Sequence, residues 1–234
     1  GGVLRQFTTS TPPTLRRVGP NANNGFRGEL YDNNDFGLLA GHPDTDEIIP
    51  ALATSWAMSA DGMTAYFRLD PNAKFTDGQP VTVDDYFYTF YFHRSPWAKA
   101  DWYADHYTRE WGGVTKYDDH TLAVKAPRKR PYQLELLGGL RPTPRQFFKD
   151  FGPNYEKAYN DRFHPTTGPY YVKPDGFLRE KSITLTRVTD WWGDRRKYYR
   201  YRYNPDAIQY GVIRELDSAY SSMLAGEIDY MPIM

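Results

Sequence analysis

Apolar and polar residues alternate in several short stretches of the chain, and this period of two is typical of half-buried β-strands. The alternation predicts strands at Val3–Thr8, Thr64–Leu69, His120–Ala126, Ile183–Val188 and Ala207–Ile213. Turn residues stand directly before the second and third of these stretches, as is usual where a strand follows a tight turn. The pattern therefore predicts strands in both halves of the chain.

Helical spacing follows a capping signal in the first half of the chain. Thr82 stands three residues before Asp85, which is the side-chain pattern of a capped helix N-terminus. The predicted helix places aromatic residues on one side, at Tyr86, Phe87, Phe90 and Tyr91. Pro96 ends it, because proline cannot continue the hydrogen-bond ladder of a helix.

Further helices are predicted at Gly25–Asn33, at Thr143–Phe151 and after Asp217. Thr143 is the expected N-cap of the second, with proline at the first helical position and glycine just past its end. The last helix is expected to end at Gly226 and to face inward through Tyr220, Met223 and Leu224. Strands and helices mix without strict βαβ alternation, so the predicted fold class is α+β, or mixed α/β.

Composition is useful mainly because it argues against several classes of protein. The 234 residues are 40% hydrophobic and 25% charged, which suits a globular core. Lys+Arg 29 balances Asp+Glu 29, so we expect no nucleic-acid partner and no bulk attraction to an anionic membrane. The basic runs Arg128–Arg130 and Arg195–Lys197 are more typical of solvated faces than of phosphate sites. No stretch approaches the roughly 20 apolar residues of a membrane span, and Gly1–Arg5 resembles a strand start, so we expect any export signal to have been removed.

Catalytic and metal-binding patterns are weak. Cysteine is absent, which excludes disulfides, thiolate nucleophiles and cysteine-ligated zinc. No two of the five histidines have the i, i+4 spacing of a helical zinc site, and neither a nucleophile elbow nor a phosphate loop is present. Acidic pairs leave a hydrolase as the alternative, although capping and turn roles explain them equally; they are Asp84-Asp85, Asp118-Asp119 and Asp105 near Glu110. No cofactor is predicted.

Aromatic residues make up 17% of the chain, more than a core usually requires. Tyrosine and tryptophan give wide, stiff contact area with a polar tip, which makes them frequent at recognition surfaces. We expect roughly two thirds of them to pack in the interior and the rest to line a cleft.

Several short motifs follow one another in a fixed order: Gly1–Leu4, Pro50–Trp56, Lys74–Asp85, Asp118–Val124, Gly168–Tyr170, Trp191-Trp192 and Leu224–Asp229. Taken together, the chain resembles the oligopeptide-binding class of ABC-transporter receptors, the extracellular solute-binding proteins of family 5. Three segments resemble the branch that binds microcin C, related peptides or muropeptides; they are Arg17–Asn21, Ile48–Ala53 and Arg187–Trp192.

The resemblance implies a lobe of the type II periplasmic-binding-protein kind with an inserted extra domain. It places the first lobe at residues 1–36 and 164–234 and the inserted domain at 37–163. The opposing lobe is then missing from this sequence, and either a second polypeptide supplies it or the chain is truncated. The implied function is capture of peptides or peptide-like compounds in the periplasm, or outside the cell in association with a membrane. The implied partners are an ABC permease and its ATPase subunits.

The resemblance also suggests ligand-binding residues. One group is the loop after the first strand, with Val18, Gly19, Pro20, Asn21 and Asn23, which either offers a strand edge to a peptide or is an ordinary surface loop. A second group, Trp102, Tyr103 and Tyr107, is expected to face the ligand rather than to pack beneath a loop. Trp191 and Trp192 complete the set, with at least one of them expected in the core. A purely structural or interaction domain is the third hypothesis.

Overall fold

The fold was analysed in a computed structural model that describes residues 1–231. Its strands are β1 (Val3–Thr8), β2 (Leu39–Gly41), β3 (Ile48–Pro50), β4 (Ala53–Met58), β5 (Thr64–Leu69), β6 (Gly113–Lys116), β7 (Thr121–Lys125), β8 (Tyr170–Leu178), β9 (Ser182–Arg187) and β10 (Ala207–Val212). Its α-helices are α1 (Val83–Arg94), α2 (Asp101–Arg109), α3 (Gln133–Gly138), α4 (Tyr155–Ala158) and α5 (Leu216–Leu224). Each of the strands predicted from alternation is confirmed, with bounds that shift by no more than one residue.

The first sheet joins the start of the chain to its second half, in the order β1-β10-β9-β8. β1 and β10 are parallel, and the other pairs are antiparallel. The buried side chains of β8, β9 and β10 form a core with the segment that follows β1; this core contains Leu15, Leu30, Tyr31, Tyr170, Val172, Ile183, Leu185 and Tyr210. Each fully buried aliphatic or aromatic side chain of this kind stabilises the fold by about 1.5–3 kcal/mol.

The second four-stranded sheet is antiparallel, in the order β4-β5-β7-β6, and the small sheet β2-β3 stands beside it. Alternate residues of β5 are buried, namely Ala65, Phe67 and Leu69, and they pack against Leu122 and Val124 of β7. These residues belong to a second core, separate from that of the first sheet. Trp191, Trp192 and Tyr199 join the same core from the segment after β9. The second core therefore includes residues on both sides of the predicted domain boundary, and the division into domains stays a prediction.

Helix α1 begins as predicted, but its aromatic residues do not share one face. The Thr82 backbone N–H donates to the Asp85 carboxylate at 2.9 Å, which completes a capping box. Tyr86 and Phe90 are buried in the second core. Phe87 and Tyr91 are 42% and 55% exposed, because each follows a buried residue by about 100° around the helix. The prediction of a single aromatic side was wrong.

The predicted helix at Thr143–Phe151 is a series of turns. The Thr143 backbone N–H donates to the Asp85 carbonyl oxygen at 3.2 Å, and its hydroxyl bonds Thr89, so its side chain is engaged by α1 rather than by a cap. Nearby phenylalanines pack into an aromatic cluster with Val18, Phe92, Tyr155 and Tyr159. This tertiary packing overrides the local helical preference.

Two other helix predictions need correction. Of Gly25–Asn33, only Gly28–Asp32 is helical, as a single π-helical turn. Asp217 is the predicted cap of the last helix, but α5 has Glu215 at its N-cap position, and Asp217 lies in its first turn. Helix α5 ends before Gly226 as predicted, and that glycine has a φ of 73°. However, α5 is anchored through Ala219, and within residues 1–231 the side chains of Tyr220, Met223 and Leu224 are 56%, 41% and 72% exposed. The small alanine, and not the larger apolar residues, lies on the packed face. No helix in this part of the chain combines the length and apolarity of a membrane span.

Candidate ligand-binding site

The loop after β1, residues 18–23, begins with packed residues that hold it in place and continues with residues that are more exposed. Val18 is 1% exposed and accepts a hydrogen bond at its carbonyl oxygen from the Tyr155 hydroxyl at 3.0 Å. Gly19 has a φ of 103°, and a Cβ there would lie 2.8 Å from the Ala98 carbonyl oxygen. Asn21 and Asn23 are exposed, and Pro20 is half-buried. Val18 and Gly19 therefore anchor the loop, and its later residues are the ones a ligand can reach.

Arg16 holds the same loop from within. It is 4% exposed, its Nη2 donates to the Pro20 carbonyl oxygen at 2.8 Å, and its guanidinium lies 5.7 Å from the centroid of the Tyr155 ring. Nothing in the sequence marked this arginine, because its partners are a backbone oxygen and an aromatic residue that is distant along the chain. It is a positioning residue for the loop.

Arg17, the next residue, forms an ion pair with Asp35. The Asp35 carboxylate also accepts hydrogen bonds from the Thr167 backbone N–H at 3.1 Å and from its hydroxyl at 2.8 Å. Burial acts to lower the pKa of Arg17, but the charge and the hydrogen bond of Asp35, together with the nearby Asp32, outweigh it, so the pKa lies above its ordinary value. Arg17 therefore stays charged, and its contact with Asp35 joins the loop to the strand connection at Thr167.

Asp32 lies between two further arginines. Its Oδ2 is 3.1 Å from Nε of Arg27, and its Oδ1 is 3.7 Å from Nη1 of Arg141. Nη2 of Arg141 also donates to the Asp32 carbonyl oxygen at 3.2 Å. Burial, together with the nearby Arg17 charge, lowers the pKa of Arg141. One carboxylate thus serves two cations.

Helix α2 brings the second predicted group to the same place. The guanidinium of Arg27 lies 5.3 Å from the centroid of the Tyr103 ring. Trp102 is 68% exposed and stacks on His106 with a centroid distance of 5.1 Å. Trp102 and Tyr103 therefore form an aromatic surface beside the arginines.

Tyr107 packs deeper than its two neighbours. Its ring stacks on His93 at 4.2 Å, and its carbonyl oxygen accepts a hydrogen bond from Nε of Arg94 at 3.2 Å. Burial raises the pKa of Tyr107 to about 12. Burial also lowers the pKa of His93 to about 3, although its Nδ1 is 2.8 Å from the Thr89 carbonyl oxygen. Both groups are therefore neutral near pH 7, and their stacked rings pack α2 against α1.

The tandem tryptophans lie in the second core. Trp191 and Trp192 are 3% and 7% exposed, and both indole N–H groups donate to the Thr167 carbonyl oxygen, at 2.9 and 2.7 Å. The expectation that at least one is a core residue agrees with this burial. Their edges line a cavity with Lys74, Arg195 and Arg196, apart from the loop and α2. Ligand contact by these two residues stays a prediction, and their burial gives it no support.

The acidic pairs take part in capping and ion pairs. Asp85 caps α1, and Asp84 lies 2.9 Å from Nζ of Lys116. The Asp118 carboxylate accepts the His120 backbone N–H at 2.7 Å, within a turn. Asp105 pairs with Arg109 at 2.6 Å, and Glu110 pairs with Arg130. None of these pairs places two carboxylates across a cleft, the arrangement that glycoside hydrolysis requires.

The site therefore combines the exposed part of the loop, the aromatic surface of Trp102 and Tyr103, and a set that we call the arginine cluster: Arg17, Arg27 and Arg141. Such a surface can hold a ligand by stacking and by charge-assisted hydrogen bonds. Sequence reasoning missed these three arginines as site residues, because their spacing along the chain follows no motif.

This architecture is that of a lobe of a type II periplasmic binding protein. A substrate-binding domain of an oligopeptide ABC transporter from Bacillus anthracis matches it with a TM-score of 0.77, over 97% of this chain and 44% of that one, at 22% identity. AppA from Bacillus subtilis, solved in complex with a nonapeptide, matches with a TM-score of 0.76, over 98% of this chain and 43% of that one, at 20% identity. At these identities the likeness establishes the fold alone.

The sequence match is to a family and not only to a fold. Residues 47–234 match the bacterial extracellular solute-binding proteins, family 5 Middle, and the chain belongs to this family. The periplasmic oligopeptide-binding protein OppA of Escherichia coli is 30% identical over 186 residues, which are 72% of this chain and 32% of that protein. The chain spans about a third of the length of the curated relatives it matches. The narrower branch that binds microcin C or muropeptides stays a prediction.

Proposed function

We propose that the protein captures peptides or peptide-like compounds outside the cytoplasm and delivers them to an ABC importer. The match of residues 47–234 to the solute-binding family carries this proposal. Several relatives support peptides as the ligand class, since they are oligopeptide- and dipeptide-binding proteins. The importer's permease and ATPase subunits are the proposed partners, and the periplasm or the outer surface of a membrane is the proposed location.

The proposed ligand surface is the face made by Pro20, Asn21 and Asn23 of the loop together with Trp102 and Tyr103. In this arrangement the loop backbone offers hydrogen bonds to an extended peptide, while the aromatic rings pack against its side chains without demanding one sequence. An opposing lobe, from the rest of the receptor or from a separate polypeptide, closes over the ligand by a hinge motion. Closure is favoured by whatever extra contacts the ligand makes in the closed form.

We further propose that the protein binds its ligand without transforming it. The hydrolase alternative has no observation in its favour, because the paired carboxylates are engaged in a cap, a turn and ion pairs. A nucleophile with an adjacent base is also missing from the face described above, where arginine and aromatic side chains predominate.

Thermal unfolding of the full-length protein with dipeptides, tetrapeptides and nonapeptides tests this function. A ligand present at 100 times its Kd stabilises a receptor by about 2.7 kcal/mol, so a bound peptide raises the Tm in a concentration-dependent way. Mass spectrometry of the recovered peptide should show it intact. Cleaved peptide would support the hydrolase instead, and no shift with any peptide class would contradict the proposal.

A further inference from the structure

The arginine cluster has more positive charge than its carboxylates balance. Arg17 is paired with Asp35, but Asp32 is shared by Arg27 and Arg141. Three guanidinium groups therefore share two carboxylates. Arg141, moreover, lies close enough to the Arg17 charge for the two to repel each other.

Other nearby carboxylates do not remove this excess. The charges of Asp32 and Asp35 both act on Arg17 and on Arg141. Glu29 accepts a hydrogen bond from the Tyr210 hydroxyl at 3.0 Å, on the side of the first sheet. Asp105 of α2 is neutralised by Arg109 on an exposed part of the same helix. The excess therefore belongs to the face that also carries Tyr103.

The exposed members of the cluster still have donors to offer. Nη1 of Arg141 is 3.7 Å from Asp32, which is beyond hydrogen-bond distance, and this side chain is 32% exposed. The Arg27 side chain is 18% exposed. A planar guanidinium with unused N–H groups can donate two parallel hydrogen bonds to a carboxylate. A lysine ammonium, which is a compact point charge, cannot form this bidentate arrangement.

We infer that the ligand carries a carboxylate that Arg141 and Arg27 bind, while Trp102 and Tyr103 contact its neighbouring apolar part. The inference rests on the proposed function and adds a ligand class to it, namely peptides that present a negative charge to the arginine cluster. The carboxylate is either an acidic side chain or the C-terminus of the peptide, and the two sources share one chemistry. The buried Arg17–Asp35 pair fixes the geometry behind them.

Isothermal titration of the full-length protein with four matched peptides distinguishes these sources. The peptides are Ala-Ala-Glu-Ala and Ala-Ala-Gln-Ala, each with a free and with an amidated C-terminus. Loss of the carboxylate that faces the cluster should weaken binding about tenfold, since a charge-assisted hydrogen bond of this kind contributes on the order of one decade in Kd. The variants Arg141→Gln and Arg27→Gln should remove that preference, whereas Arg214→Gln, an exposed arginine paired with Glu180, should keep it.

Each result decides a different point. Equal affinity for all four peptides, unchanged in Arg141→Gln, would overturn the carboxylate inference and leave the peptide receptor intact. Failure of all four to bind would overturn the proposed function together with the inference. Thermal unfolding of each variant identifies any that fails to fold, and Arg141→Lys, which keeps the charge but loses the bidentate guanidinium, then provides a second substitution.

Discussion

Arg17 and Asp35 form an ion pair in which the carboxylate side chain is 1% exposed and the guanidinium side chain 11%. The pair joins the loop that follows β1 to Thr167, whose carbonyl oxygen in turn accepts both indole N–H groups of Trp191 and Trp192. Three distant parts of the chain therefore meet at one buried carboxylate. The first prediction concerns its removal.

Asp35→Asn should lower the free energy of unfolding by about 3–5 kcal/mol, because it leaves a buried arginine without its counter-charge. Chemical denaturation measures this loss. The matched control is Asp161→Asn, since Asp161 also pairs with an arginine but its side chain is 57% exposed. There the loss should stay below about 1 kcal/mol. Equal losses at the two positions would show that the buried pair has no special role.

Gly168→Ala should be among the most disruptive single-methyl changes in the chain. A Cβ at this position would lie 2.1 Å from the Asn34 carbonyl oxygen, and backbone cannot move aside as a flexible side chain can. We expect a loss of about 3 kcal/mol in the free energy of unfolding. Gly152→Ala is the control, because its Cβ would meet no atom within 4 Å. A Gly168→Ala protein as stable as this control would contradict the described approach of the two segments.

Buried neutral histidines should make the protein less stable in mild acid. Burial lowers the pKa of His93 to about 3 and the pKa of His164 well below its ordinary value. Between about pH 6.5 and 5 the unfolded chain then binds protons that the folded chain does not, so stability falls as the pH falls, by up to about 1.4 kcal/mol per pH unit for each histidine.

His164→Phe tests this pH dependence, since both ring nitrogens of His164 are buried without a hydrogen-bond partner among residues 1–231. Its free energy of unfolding should fall less steeply with decreasing pH than that of the wild type. Phe148→Leu disturbs the same aromatic surroundings without a titrating group and should keep the wild-type slope. Identical slopes for His164→Phe and the wild type would exclude a depressed pKa.

Two tryptophans should give opposite results when truncated. Trp102→Ala should change the free energy of unfolding by less than about 0.5 kcal/mol, because the side chain is 68% exposed, yet it should weaken peptide binding. Trp191→Ala should cost about 3–5 kcal/mol through the cavity it leaves in the second core. Denaturation and calorimetric titration of both variants check this. A Trp102→Ala protein with unchanged affinity would remove α2 from the ligand surface.

Local pattern predicted the strands well and the helices less well. β1 and β5 agree with the predicted bounds because alternation of apolar residues is itself the cause of a half-buried strand. The segment at residues 143–151 has a proper cap and start signal, but its phenylalanines pack with residues that are distant along the chain. Propensity is a weak preference, and such packing outweighs it.

The candidate site shows the same limit more strongly. Trp102 and Tyr103 could be proposed from the resemblance to the family, which places them on the ligand side of the inserted domain, but the arginine cluster could not. Arg27 and Arg141 meet only because the chain folds both of them against Asp32. No spacing rule applies to residues that tertiary structure brings together, so only the folded structure shows the positive charge of the arginine cluster.

Hydrogen–deuterium exchange of the full-length protein, with and without a saturating peptide, tests the central claim most directly. Bound peptide should slow exchange at the amides of residues 21–29 and of α2. In β4, β5 and β7, exchange should slow only as far as the ligand stabilises the whole protein against global unfolding. Protection centred on the second sheet, or no protection in either segment of the proposed ligand surface, would contradict a peptide site at this face.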